Sequence, residues 1–202
     1  AQQAAVAKIK GALGPGLEWD EPKPEEMPDD LFKGVHVEKS NNYKVLIDYA
    51  KKLVADKKWE EAKVPLKKLI ELYPEQTGQN NAYSLLAAAH RELKETEPEQ
   101  AILKKLAERD PDATDAFLRL MELDSASQDW TDAVRNAERF LAVNPLVPQP
   151  HRYLARASEE LGKTDAAIGA YETLLLLDPP DPADVHFRLA RLLAKTGKPA
   201  AK

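Results

Sequence analysis

Four prolines divide this chain into nearly equal lengths, and their spacing limits its fold more than any other feature. Pro74, Pro111, Pro145 and Pro179 lie 37, 34 and 34 residues apart. Each closes a similar apolar segment: LIELYP, LAERDP, FLAVNP and LLLLDP. Self-similarity at a period of about 20–50 residues marks a stack of supersecondary units, each too small to bury its own apolar face.

Counting back from the prolines places repeats at 43–76, 80–113, 114–147 and 148–181, with a partial fifth at 183–202. The fourth position of each reads Leu46, Tyr83, Phe117, His151 and His186. Small residues recur where two helices would cross closely: Ala50, Ala87 and Ala155 early in the repeat, Ala62, Ala133 and Ala167 later. Spacings of three and four put the apolar residues on one helical face. This predicts helices at 43–56, 59–72, 79–94, 98–109, 113–124, 130–142, 149–161, 164–177 and 182–195. Local signals agree. Gly162 and Gly197 fall at turns within a pair, Asp129 is placed to cap the helix of Trp130, and Thr96 with Glu99 has the spacing of a capping box. Pro65 conflicts with its helix. It removes one hydrogen bond and is expected to bend the helix, at about 3 kcal/mol if fully interior, on a solvent-facing side. The segment Glu75 to Asn81 holds the three extra residues of the first spacing and is read as a lengthened loop.

These residues resemble the tetratricopeptide repeat (TPR) family over about residues 43–197. The resemblance implies an all-α fold, a right-handed superhelical solenoid of antiparallel helix pairs. Glu99 stands where the family has a small residue, and the eleventh position varies as Leu53, His90, Asp124, Ser158 and Leu193, which is expected to weaken packing locally.

Residues 1–42 lie outside the repeat and form a separate arm or linker. Between Glu18 and Asp30 there are seven acidic residues and one lysine, and Pro22, Pro24 and Pro28 block a continuous helix. Leu31 and Phe32 are placed to cover the first repeat. The last repeat stops as its second helix would begin, and the chain starts at Ala, which together predict a piece of a longer protein.

The sequence carries little chemistry. It has no cysteine, so thiolate catalysis, disulfides and cysteine metal sites are excluded. His36, His90, His151 and His186 form no HExxH or close metal-ligand cluster; His151 and His186 are read as partly buried structural histidines. No phosphate loop, dinucleotide fingerprint or nucleophile elbow is present. Ser125 and Ser127 read as turn residues, and Glu60-Glu61 and Glu159-Glu160 as solvated helix faces. No cofactor or metal is expected, and the chain reads as not an enzyme. A net charge of -5 argues against a protein built to coat nucleic acid. No apolar run is long enough to span a bilayer, so a soluble protein of bacterial cytoplasm or cell envelope is expected, without membrane insertion.

In the family, the inner, concave surface is lined by the first helix of each pair. The matching positions here bring Arg152, Arg156, Arg188 and Arg191 beside Phe187, with Arg91 further along. Arginine forks suit carboxylates, and a neighbouring aromatic supplies an anchor. The resemblance therefore implies a non-catalytic protein–protein interaction module or scaffold that binds a peptide, acidic or C-terminal, on this face. The alternative is an accessory TPR region of a larger bacterial enzyme, such as a cell-envelope peptidase, whose catalytic domain lies outside this chain. The carboxylate clamp of co-chaperone members is not present: its positions read Ile47, Lys51, Leu85, Asp115 and Arg119, and only Arg119 fits. Opposite charge also suggests an intramolecular contact between the acidic arm at 18–30 and the arginine cluster.

Overall fold

Among the described residues every first helix of a pair ends in the same backbone turn, and that turn sets the architecture. The computed structural model describes residues 40–197, which lie within the unit Glu38–Lys202. Among them are nine α-helices and no strand: α1 (Tyr43–Ala55), α2 (Trp59–Leu72), α3 (Ala82–Glu92), α4 (Thr96–Arg109), α5 (Thr114–Ala126), α6 (Trp130–Val143), α7 (Pro148–Glu160), α8 (Thr164–Leu176) and α9 (Pro182–Thr196). Odd-numbered helices open a pair, and α2, α4, α6 and α8 complete one. Each helix packs on the next in sequence, and α1 also meets α3 as α5 meets α7. Antiparallel pairs stacked in this way make an α-solenoid.

At the fifteenth position of every repeat the backbone takes a positive φ: Lys57, Lys94, Gln128, Gly162 and Gly197. In the four complete pairs the following N–H reaches back five residues to the helix. Lys58 donates to the Leu53 carbonyl, Glu95 to His90, Asp129 to Asp124 and Lys163 to Ser158. This is the Schellman closure, which satisfies terminal carbonyls and reverses the chain within two residues. Asn42 and Asn81 cap α1 and α3 with their side chains, and Asp129 caps α6 by accepting from the Asp132 N–H.

The interface between layers is apolar. Tyr83, Leu103, Leu106, Phe117, Leu120, Met121 and Phe140 form one buried cluster, and Ala155, Ala167, Tyr171, Leu174, Val185 and Leu192 another. Leu154 packs against both. All six alanines expected at close crossings are buried.

Several expectations need correction. Thr96 does not cap α4. It is the helix's first residue, Glu95 precedes it as an N-cap without a side-chain bond, and Glu99 is buried instead of turned back to the helix end. Pro65 faces the core with Ala62, Leu66 and Leu69 rather than solvent. Its ring is apolar, and the acceptor that loses a partner belongs to exposed Glu61, where water can serve it. His186 is exposed, whereas His151 is buried and its Nε2 donates to the Pro145 carbonyl at 2.8 Å. Ser125 lies in the last turn of α5 rather than in a turn between helices. The acidic arm, with Leu31 and Phe32, lies outside the described residues.

Candidate functional site

Arg152 and Arg156 stand four residues apart on α7, and Asp184 and Arg188 four apart on α9, so each helix turns two charged side chains the same way. α8 lies between the two helices in sequence and supplies Tyr171. Together Arg152, Arg156, Tyr171, Asp184, Val185 and Arg188 line a cavity of about 260 Å³. Arg191, one turn beyond Arg188, joins through Glu159 rather than by lining the cavity.

Glu159 is the hub beside this cavity. Its side chain is largely buried and accepts the Tyr171 hydroxyl at 2.9 Å, Arg188 Nη1 at 3.4 Å and Arg191 Nη2. Glu159 is therefore not part of a solvated face; only its neighbour Glu160 is exposed. Burial pushes the Glu159 carboxyl up, but the Tyr171 hydroxyl and the two guanidiniums outweigh it and hold the group below its usual range. Burial, and then the bond to Glu159, push the Tyr171 phenol up.

The remaining arginines differ in how they are answered. Arg188 Nε also donates to Asp184 at 2.9 Å, and Arg156 Nη2 pairs with Glu160 at 2.6 Å. Among the described residues Arg152 makes no hydrogen bond or ion pair, and its Nη2 is buried. Phe187 is 65 % exposed, next to Arg188 on α9. Arg91 is exposed near the end of α3, on another repeat. The sequence-predicted cluster thus divides in the structure: Arg152, Arg156 and Arg188 share one cavity, Arg191 meets Arg188 at Glu159, and Arg91 stands apart. Guanidiniums stay charged and carry only donors, so this arrangement can hold an anion but is not suited to shuttle a proton.

Two other constellations were not singled out by sequence reasoning. A larger cavity, about 660 Å³, lies where the lengthened loop meets the starts of α3 and α5, and Asp110, Asp112 and Asp115 are among its lining. The three extra residues before Asn81 are its sequence signal. Asp124, Asp129 and Asp132 bring carboxylate oxygens within 4.8 Å of one another. Each of these is engaged: Asp124 accepts from Gln100 and Asn136, Asp132 from Lys104, and Asp129 caps α6. Burial raises the Asp124 carboxyl, while the Lys104 ammonium lowers that of Asp132.

A solenoid of helix pairs, with a cationic cavity between two first helices, defines a class of repeat protein. The tetratricopeptide repeat family model matches residues 123–175 and 154–201. The stretch from residue 123 to residue 201 is thus similar to tetratricopeptide repeats. The chain's fold is similar to that of MamA in a crystal structure, with a TM-score of 0.60 at 17% identity, over 77% of this chain and 82% of that one. It is likewise similar to YrrB, described as a TPR protein with an unusual peptide-binding site, with a TM-score of 0.61 at 16% identity, over 77% and 78%. A MamA segment from Desulfovibrio magneticus RS-1 gives a TM-score of 0.56 at 16% identity, over 78% and 87%. At these identities the likeness is one of fold. No curated protein matches the chain. No helix of the described residues is long and apolar enough to cross a membrane.

Proposed function

We propose that this chain is a non-catalytic interaction module whose 43–202 region binds a peptide segment of a partner protein on the face formed by α1, α3, α5, α7 and α9. Residues 1–42 form a separate arm in this reading. The observation that carries it is the pairing of an exposed aromatic, Phe187, with a neighbouring cavity that presents three guanidiniums. Large aromatics and arginines are the residue types that dominate protein interfaces, and a solvent-facing Phe has no role in the core. The peptide-binding site ascribed to YrrB, on the same fold, supports the reading. An acidic segment fits the arginines best.

Site-specific photocrosslinking in the native source tests it. A crosslinker at Phe187 should trap one partner protein, and a crosslinker at Leu176, exposed on the second helix of its pair, should not. The R152E/R156E/R191E variant, still helical, should lose the adduct. Trapping from Leu176 alone, or an adduct indifferent to the three substitutions, means that a different surface is used.

A further inference from the structure

We infer that the cavity between α7 and α9 takes one carboxylate group of the bound peptide, anchored on Arg152. This rests on the peptide-binding reading above and names the chemistry that the site selects. Four guanidiniums gather here, those of Arg152, Arg156, Arg188 and Arg191, and three carboxylates answer them, those of Glu159, Glu160 and Asp184. One positive charge is left over, and it belongs to a particular residue. Arg188 is held by Asp184 and Glu159, Arg191 by Glu159, and Arg156 by Glu160. Among the described residues Arg152 has no hydrogen-bond or ion-pair partner, although its Nη2 is out of contact with solvent. A buried N–H is nearly always paired in a folded protein, and a charged one has the most to gain from an acceptor.

The surroundings select the acceptor. The deficit is a single charge, which suits a carboxylate rather than a phosphate dianion. Arg156 is the second arm, because its pair with Glu160 spans one exposed helical turn and such pairs exchange readily. Together Arg152 and Arg156 can offer more than one charge-assisted bond to the two oxygens of a carboxylate. Tyr171 and Val185, both buried, give the cavity an apolar wall for the carbon that bears the group. The Tyr171 hydroxyl is committed to Glu159 and does not compete. An aspartate or glutamate side chain and a free peptide C-terminus share this chemistry.

The test follows the arginine Nε–Hε resonances of the ¹⁵N-labelled full chain by NMR with three peptides. They are Ac-Ala-Leu-Ala-Leu-Glu-NH₂, Ac-Ala-Leu-Ala-Leu-Ala-OH and Ac-Ala-Leu-Ala-Leu-Gln-NH₂. The inference expects a saturable shift of Arg152 with the first or the second, which identifies side chain or C-terminus as the source, and none with the third. R152Q should weaken binding of the responsive peptide by about tenfold or more. Because Arg152 has no partner among the described residues, R152Q should not lower the unfolding midpoint, which separates a binding role from a structural one. The inference is overturned if the Gln peptide shifts Arg152 as strongly, if no peptide does, or if R152Q lowers stability without changing affinity. It also falls, while the peptide-binding reading stands, if all three peptides move the amides around Phe187 equally and Arg152 is silent. Loss of the Phe187 crosslink would instead remove the reading on which it rests.

Discussion

Glu99 occupies a position that the repeat gives to a small residue, and the neighbouring pair of helices accommodates it. Its side chain is 3% exposed and receives two bonds from the Arg119 guanidinium, at 2.7 and 3.0 Å. Arg119 is less buried and also donates to Glu122 at 2.9 Å. The two halves of the pair are therefore unequal. Removing Arg119 strands a carboxylate with no other ion partner among the described residues, whereas removing Glu99 leaves a guanidinium that still has Glu122 and solvent. A broken buried pair typically costs about 3–5 kcal/mol when the deeper charge is the one abandoned. Arg119→Ala is accordingly expected to lower stability by about 3 kcal/mol, and Glu99→Ala by about 1 kcal/mol, because a small residue suits the crossing. Urea unfolding of the two variants and the double variant checks this. The double variant should resemble Glu99→Ala, and a double variant as unstable as Arg119→Ala would show that the ion pair is not what holds this site.

At the scale of the element, the turn inside each pair requires a left-handed residue, and only Gly162 and Gly197 meet that need without a side chain. Lys57, Lys94 and Gln128 hold the same conformation with a Cβ, which costs roughly 1–2 kcal/mol each. Lys94→Gly is expected to stabilise by about 0.5–1 kcal/mol, the relief of strain less the greater freedom of glycine when unfolded. Gly162→Ala should destabilise by about 1 kcal/mol. A Cβ at Gly162 meets nothing within 4 Å, so that loss is a backbone effect alone. Urea midpoints should move in opposite directions; equal shifts of one sign would contradict the shared turn. The same turn explains what the sequence could and could not tell. Proline spacing marked every complete pair, because Pro74, Pro111, Pro145 and Pro179 each lie just beyond the last turn of a second helix. The start of α4 was misplaced because Thr96 has a capping side chain, but the Schellman bond from the Glu95 N–H, not a side chain, decides where that helix begins. Lys94 gives no local sign of a positive φ. The arginine cluster was legible as a helical spacing. Its pairing was not, because Glu159 reads as one of two adjacent acids, and only packing against Tyr171 shows that it faces inward.

Across the whole repeat array, contacts run between neighbouring helices, so stability should be a sum of local terms rather than a single all-or-none quantity. The buried cluster around Phe117 and the one around Tyr171 share Leu154 on α7 as a common neighbour. Leu66 on α2 and Leu174 on α8 are fully buried at opposite ends of the described array. Each truncation to alanine should cost about 2–5 kcal/mol at its own position. In a globular core either loss would raise opening everywhere. Here Leu66→Ala is expected to speed amide exchange in α1 to α3 and leave α8 unchanged, and Leu174→Ala to do the reverse. Leu154→Ala should loosen both sides of α7, because it is the side chain through which the two clusters meet. Native-state hydrogen exchange resolved by segment reads all three variants. A uniform loss of protection from Leu66→Ala would mean that the repeats open as one body, and binding at the α7–α9 cavity would then stabilise α1 as strongly as α8. A local loss means that a ligand held by Arg152 can order the last pairs without reaching the first.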